Sequence, residues 1–259
     1  MKKEPNILEK EAHEYLAQEK IGEAYDLFRQ AGDLYKEKER HKEAALCLAS
    51  AASCWAMKSG ERMFHNSSLA YEDSAMQAEL ALDLEYASLL YRQAAINYER
   101  DMEFFSFSDC FYRSRECLRR FLVLSLISPQ KIHHISGSGI SKKGAYGIIR
   151  RLALCIFLTF SALLWGHGER PARAFYSTLF IIFLSALLYM QGNLIQDSII
   201  LKPNFLQAAY FSVISFTTVG YGDITPIGIN KLIAMFEVLS AVFIIPIFIV
   251  GLSRKYLRI

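Results

Sequence analysis

The segment TTVGYGDITP, residues 217–226, lies between two long apolar stretches near the carboxyl end of a 259-residue chain. Residues 174–196 carry no charged side chain, and residues 232–253 carry only Glu237. Each stretch is long enough to cross a bilayer as a helix, since one crossing takes about 20 residues. The sequence therefore predicts two membrane-spanning helices joined by a loop that is built around Gly-Tyr-Gly.

Inside this loop, residues 206–217 are a short, uncharged and mostly apolar helix candidate that is too short to cross the membrane. Residues 218–222 follow it. Non-helical backbone at membrane depth is tolerated only where it is buried in protein or lines a water-filled path. Gly220 and Gly222 can adopt positive φ angles, which lets successive carbonyl groups turn toward one axis. Bare carbonyl oxygens in such a place predict a site that coordinates a cation.

These features resemble the two-transmembrane potassium channels that have a re-entrant pore loop. The resemblance covers roughly residues 170–258 and rests on TTVGYGD, on the short aromatic helix before it and on the order of the flanking spans. It implies a homotetramer that conducts K⁺ passively, a conduit and not an enzyme, with a permeant ion rather than a cofactor. The ion-coordinating oxygens of the selectivity filter are then expected from Thr218, Val219, Gly220 and Tyr221.

The expected pore domain, residues 170–259, divides into four elements: an outer helix at 174–192, a pore helix at 206–217, a filter at 218–222 and an inner helix at 229–253. Tyr221 is expected to pack against pore-helix aromatics such as Tyr210 or Phe211. Asp223 is expected just behind the outer mouth, where it either raises the local cation concentration or anchors the filter to the pore helix. The filter-support candidates are Thr217, Gly222, Asp223, Tyr210 and Phe211.

Three residues of the inner helix are candidates for gating. Pro246 removes a backbone hydrogen bond, which predicts a kink on the cytosolic half of the helix. Gly251 is a second candidate, although no glycine lies near the middle of this helix, where many relatives hinge. Glu237 is costly in a bilayer unless it faces water or a partner. It either has a functional role facing water or makes an interhelical hydrogen bond behind the filter, and the sequence leaves both interpretations open.

The front of the chain, residues 1–130, is predicted to be a cytosolic helical repeat. Apolar or small residues recur at spacings of three and four, which is typical of packed amphipathic helices. Residues 24–31 match residues 87–94 at five of eight positions, an offset of 63 that corresponds to three helices of about 21 residues. The pattern resembles a tetratricopeptide-like antiparallel array of about six helices, so the predicted fold class is all-α throughout. Such arrays usually bind a partner or ligand.

This array carries no pattern typical of catalysis or metal binding. Four cysteines form two pairs at i, i+7, which predicts buried thiols in a helical core rather than a metal or redox site. Its histidines are scattered along charged or polar stretches, which favours a solvated surface over a metal site. The cysteines are Cys47, Cys54, Cys110 and Cys117, and the histidines are His13, His41 and His65.

Residues 131–151 contain five basic and no acidic side chains among glycines and serines, which predicts a flexible joint beside anionic lipid. The segment is too short and too close to apolar sequence for a nucleic-acid arm. His133 and His134 either sense pH there or belong to a solvated linker. The 14-residue apolar run at 152–165 favours an interfacial or shallow helix over residues 152–169 rather than a third span.

Topology follows from the flanking charges. Arg170 and Arg173 precede the first span, and three basic residues follow the second, so both outer ends are expected in the cytosol. We therefore expect a multi-pass membrane protein with cytoplasmic termini. The tripeptide GER and the proline after it in LLWGHGERPARAFY, residues 163–176, resemble a junction of bacterial pore-loop channel proteins, which favours the bacterial inner (plasma) membrane. Two alternatives stay open: a membrane-anchored scaffold with a closed or vestigial pore, and a weakly selective cation channel.

Overall fold

The computed structural model describes residues 4–57, 63–127 and 145–256, which fall into two compact units, Met1–Phe160 and Ser161–Ile259. Ten α-helices and three strands of three residues each make up the regular structure of these ranges. The predicted all-α class is therefore confirmed. The predicted linker residues 131–144, with His133 and His134, lie outside the described ranges.

The amino-terminal unit is an array of helices in which each packs against its neighbour in sequence. Connections of three residues follow the first, second, fourth and fifth helices, and turns this short force consecutive helices to run antiparallel. Six helices form the array, as the sequence predicted. They are α1 (Pro5–Ala17), α2 (Ile21–Glu37), α3 (His41–Met57), α4 (Met63–Leu80), α5 (Leu84–Arg100) and α6 (Phe104–Ile127).

The four short connections share one backbone geometry. In each, the middle residue has a positive φ of 56–62°. The residue after it donates its N–H to the carbonyl five positions earlier, as Lys20 does to Tyr15 at 3.0 Å. This Schellman arrangement ends a helix and satisfies its last carbonyls. The four middle residues are Glu19, Glu39, Leu82 and Met102.

These connections repeat with the offset predicted from the sequence. Glu19 and Leu82 are 63 positions apart, as are Glu39 and Met102. The helices α2 and α5, each of 17 residues, also begin 63 positions apart. The weak sequence repeat therefore corresponds to a structural repeat of three helices.

Small residues and a few large aromatic side chains fill the core of the array. Tyr35, Tyr91 and Tyr98 are at most 2% exposed and lie among buried alanines. The four array cysteines are also buried, which confirms the prediction of core thiols. Burial raises the pKa of Cys47 and of Cys117 to about 12, so these thiols stay protonated and unreactive near neutral pH.

The helix that follows, α7 (Ala145–Trp165), is longer than the sequence indicated. It has 21 residues and begins at Ala145, inside the segment 131–151 that was predicted as a linker. Residues 147–168 are long and apolar enough to cross a membrane, as are 171–189 and 230–253. The length argument for an interfacial helix therefore fails. A second argument for an interfacial helix does not depend on length. If both ends of the two-span unit are in the cytosol, a crossing by α7 would place the charged array outside.

The carboxyl-terminal unit contains two long apolar helices with a short one between them. A 3-10 turn (Gly166–Gly168) leads into α8, whose proline lies in the first turn, where its missing N–H does no harm. A reciprocal capping box between Asn204 and Gln207 starts the short helix α9. The elements are α8 (Pro171–Tyr189), β1 (Leu194–Gln196), β2 (Ile199–Leu201), α9 (Phe205–Phe216), β3 (Ile224–Pro226) and α10 (Asn230–Tyr256).

The small antiparallel sheet, in the order β2-β1-β3, was not predicted. Asp197 and Ser198 both have positive φ, 52° and 65°, and form the two-residue turn between β1 and β2. Because β1 begins at Leu194, the outer helix ends at Tyr189 and not at residue 192 as predicted. The third strand begins directly after Asp223, so the sheet holds the chain where it leaves the Gly-Tyr-Gly loop.

Candidate functional site

The loop of residues 217–223 connects the carboxyl end of α9 to β3 and has an alternating backbone. The φ angles are positive at Thr218 (58°), Gly220 (50°) and Gly222 (80°), but not at Val219 or Tyr221. Residues with positive φ therefore alternate with residues that lack it along the loop. The predicted positive φ at both glycines is confirmed. Thr218 was not expected there, because a β-branched residue in this region costs about 1–3 kcal/mol.

The N–H groups of this loop bind back to the end of α9. Val219 and Gly220 both donate to the carbonyl of Ile214, at 3.0 and 3.2 Å, and Thr218 donates to Ser215 at 3.1 Å. Across the described ranges, no donor reaches the carbonyl oxygens of residues 218–221. Buried backbone carbonyls nearly always have a partner, but residues 217–223 are exposed, so these carbonyl groups can remain unpaired within the single chain. These four oxygens are therefore open to a ligand.

The loop is exposed in the single chain. Residues 217–223 are all exposed, with Val219 at 52% and Tyr221 at 72%. A Cβ built on Gly220 or Gly222 would meet no atom within 4 Å. These glycines are therefore required by the backbone conformation, and not by crowding within the chain.

Two predicted support residues join the loop to α9. The hydroxyl of Tyr210 donates to the Asp223 carboxylate at 2.8 Å, which is the contact expected if Asp223 anchors the loop to the helix. Thr217 Oγ1 donates to the carbonyl of Val213 at 2.8 Å and so binds the last turn of α9. Phe211 is 5% exposed and packs edge-on against Tyr189 at 4.9 Å between ring centroids. Phe211 thus supports the loop through the core behind it.

A buried asparagine fastens the start of α10 to the end of α8. The Asn230 amide donates to the carbonyls of Tyr189 and Asn193, at 3.2 and 3.1 Å, and its side chain is fully buried. A Cβ on Gly192 would lie 2.5 Å from Asn230 Oδ1, so this contact requires glycine at position 192. Neither residue was predicted from the sequence. Their only signal was a glycine and an asparagine at the two ends of the loop.

Glu237, one of the gating candidates, is 2% exposed. Its carboxyl accepts a hydrogen bond from Tyr189 Oη of α8 at 2.6 Å and contacts Ser212 Oγ of α9. The sequence left two interpretations of Glu237 open, a role facing water and an interhelical hydrogen bond. These contacts support the interhelical hydrogen bond. The contributions of Tyr189 and Ser212 were not predicted, because contacts between helices leave no spacing pattern in the sequence.

The other two gating candidates, Pro246 and Gly251, lie in the carboxyl-terminal half of α10. The helix runs through Pro246 without interruption, and the kink at this position stays a prediction. Gly251 is buried, and a Cβ built on it would lie 3.4 Å from the Gly168 carbonyl and 3.7 Å from Pro171 Cβ. These are ordinary contact distances. Gly251 therefore packs against the turn before α8.

In the array, the structure brings His65 together with two acidic residues that lie far from it in the sequence, Asp101 and Glu103. His65 Nδ1 lies 2.5 Å from Glu103 Oε1 and 3.5 Å from Asp101 Oδ2. All three side chains are partly buried, and their ligand-type atoms lie within 4.8 Å of one another. The sequence had indicated a solvated His65. The group joins the first turn of α4 to the connection between α5 and α6.

Part of the carboxyl-terminal unit is similar to a family of known proteins. Residues 176–258 match a family model described as "Ion channel". A search of curated proteins and a search of solved structures each found no match. The matched segment contains most of α8 and all of β1 to β3, α9 and the alternating loop. The match, together with three helices apolar enough to span a bilayer, supports an ion channel in a membrane.

Proposed function

We propose that this chain, whose carboxyl-terminal part is an ion-channel domain, forms a K⁺-selective channel that conducts passively. The observation that carries the proposal is the set of unbonded carbonyl oxygens of residues 218–221, on a backbone in which every second residue has a positive φ angle. Carbonyl oxygens of this kind replace the hydration shell of a K⁺ ion. The α9 helix ends at Phe216, so the negative end of its dipole lies next to the start of the filter and favours a cation there.

Four copies of the chain form the proposed pore. One chain supplies one wall of carbonyl oxygens, whereas an ion without its hydration shell needs oxygens on all sides. The exposure of Val219 and Tyr221 in the single chain supports this assembly, because both side chains would otherwise remain largely in solvent. The resemblance to two-transmembrane potassium channels supports the number four.

The array is proposed to be a cytosolic, tetratricopeptide-like docking domain. Its repeated helices and its Schellman turns support a stacked architecture, in which each unit contacts its neighbours alone. Arg170 and Arg173 at the start of α8 favour a cytosolic location for that end of the span. We further propose the plasma membrane of a bacterium, with both termini in the cytoplasm.

Ion flux tests this proposal. The purified protein is reconstituted into liposomes with a K⁺ gradient, and flux is measured with K⁺ and with Na⁺ as the permeant cation. We expect protein-dependent K⁺ flux far above Na⁺ flux. Equal fluxes would indicate a weakly selective cation channel, and no flux would indicate a scaffold with a closed or vestigial pore. Either result would overturn the proposal.

A further inference from the structure

A buried carboxyl group joins the three helices around the filter. Glu237 of α10 is 2% exposed and lies between α8 and α9. Tyr189 Oη of α8 donates to Oε2 at 2.6 Å, and Ser212 Oγ of α9 contacts Oε1. Ser185 of α8, itself 7% exposed, lies near the same carboxyl group. One side chain of α10 thus contacts both other helices.

The number of available protons determines how this cluster is bonded. Ser212 Oγ also lies 3.0 Å from the carbonyl oxygen of Ile182, which can only accept. A hydroxyl group has one proton to donate. If Ser212 donates to Ile182, its contact with Glu237 is a hydrogen bond only when the carboxyl carries a proton and donates it. A neutral Glu237 therefore satisfies both contacts of Ser212, and an ionised one leaves one of them unmade.

The charges around the cluster lead to the same conclusion. The partners of Glu237 are hydroxyl groups, and in the part of the chain that the structure describes no Lys, Arg or His side chain pairs with it. An isolated carboxylate out of water is costly, whereas a protonated carboxyl with hydrogen-bond partners is tolerated. A buried carboxyl group that has no cation beside it therefore remains protonated and neutral.

The cluster is also linked to the filter through α9. Ser212 is two positions before Ile214, whose carbonyl accepts the N–H groups of Val219 and Gly220. Any shift of Ser212 moves this turn of the helix and the filter backbone bonded to it. Glu237 thus acts on the filter through one serine and one turn of helix.

We propose that Glu237 is a neutral hydrogen-bonding hub, a positioning residue that fastens the pore helix to both spanning helices and so holds the filter in its selective geometry. The proposal rests on the proposed K⁺-channel function. It assigns to Glu237 neither a charge in the ion path nor direct contact with the ion.

Substitutions at position 237 separate a neutral hub from a functional charge. In Glu237→Gln the amide oxygen accepts from Tyr189 and the amide N–H donates to Ser212, so the same bonds form without a charge. We expect the K⁺/Na⁺ permeability ratio of this variant to stay within about twofold of the wild type. Glu237→Ala removes the acceptor of Tyr189 Oη and leaves Ser212 with the Ile182 carbonyl alone, and we expect the ratio to fall about tenfold or more. Ser240→Ala is the matched control, because its hydroxyl bonds within α10 alone, to the carbonyl of Phe236.

Reversal potentials in planar bilayers give the permeability ratios, and size-exclusion chromatography in detergent reports assembly. The proposal is overturned if Glu237→Gln assembles but loses conduction or selectivity as far as Glu237→Ala does, or if Glu237→Ala keeps the wild-type ratio. If Glu237→Ala does not assemble, Ser212→Ala and Tyr189→Phe take its place. Tyr189→Phe removes the bond to Glu237, and Ser212→Ala removes the contacts with both Glu237 and Ile182. Each is expected to lower the ratio, and wild-type ratios in both would equally overturn the proposal.

Infrared spectroscopy supplies a readout that does not depend on conduction. The wild-type protein at neutral pH should show the carbonyl stretch of a protonated carboxyl, and Glu237→Gln should lack it. Absence of this band in the wild type would show an ionised Glu237 and overturn the neutral hub. A wild-type protein that shows the band but passes no K⁺ would instead overturn the proposed channel function.

Discussion

At the scale of single residues, two glycines of the carboxyl-terminal unit share one backbone conformation, one of them in the filter loop and the other outside it. Gly220 has a φ of 50°, and Gly228, in the turn before α10, has a φ of 56°. Neither has an atom within 4 Å of a Cβ built on it. Alanine at either position therefore costs about the same, about 1–2 kcal/mol for a left-handed residue.

The first prediction follows from this pair. Gly220→Ala should abolish or blur the preference of the reconstituted protein for K⁺ over Na⁺, because the altered backbone displaces carbonyl oxygens that coordinate the ion. Gly228→Ala should keep the preference while losing similar stability. Liposome flux with both cations measures the two effects. Equal selectivity in the two variants would contradict the role assigned to residues 218–221.

A second prediction concerns the contact between Gly192 and Asn230. A methyl group at position 192 would lie 2.5 Å from Asn230 Oδ1 and force apart the ends of α8 and α10. We expect Gly192→Ala to destabilise the protein by about 1–3 kcal/mol, as overpacking does. Thermal unfolding of the full chain in detergent measures the change.

Gly251→Ala is the control for this prediction. A Cβ there meets its nearest atom at 3.4 Å, an ordinary contact distance, so a methyl group should be accommodated. Its unfolding midpoint should stay near that of the wild type. If Gly192→Ala unfolds at the same temperature as Gly251→Ala, the close approach of Asn230 to position 192 is wrong.

At the scale of elements, helix α2 contains two glycines at which alanine should change stability in opposite directions. Gly22 has open space where its Cβ would be, whereas a Cβ on Gly32 would lie 2.8 Å from Leu48 Cγ of α3. Gly22→Ala should stabilise α2, by up to about 1 kcal/mol, because alanine loses less backbone entropy on folding. Gly32→Ala should destabilise the packing of α2 against α3.

Hydrogen exchange of the full chain tests this prediction locally. Amides of α2 and α3 should become more protected in Gly22→Ala and less protected in Gly32→Ala, since exchange from native protein reports local opening. Loss of protection in both variants, or in neither, would contradict the described packing of these two helices.

How far the elements could be predicted depends on their length. The six array helices were predictable because they are long, have helical periodicity and repeat with an offset of 63. The strands have three residues each, which is too short for an alternation of apolar and polar residues to show. The start of α7 was misplaced because glycine and basic residues near position 147 had indicated a linker.

The candidate site divides in the same way. The filter loop and the positive φ of Gly220 and Gly222 were predictable, since glycine chemistry is local. The positive φ of Thr218 and the contacts of Ser212 and Asn230 were not. They depend on which helices meet in three dimensions, and no spacing in the sequence records that.

At the scale of the whole molecule, the position of α7 decides the topology. If α7 lies at the interface, both termini are on the same side of the membrane. If it crosses, the array and the carboxyl terminus are on opposite sides. We predict that both are cytoplasmic, because Arg150 and Arg151 lie in the amino-terminal part of α7 and would otherwise be on the outer face. Reporter fusions to each end measure this, and opposite locations would show that α7 crosses.

The most direct test of the central claim is a structure of the purified protein determined in Rb⁺, a more electron-rich ion that K⁺ sites accept. We predict four chains around one axis, with ions on that axis between the carbonyl oxygens of residues 218–221. A monomer, or a tetramer in which those oxygens are hydrogen-bonded to protein and hold no ion, would contradict the claim.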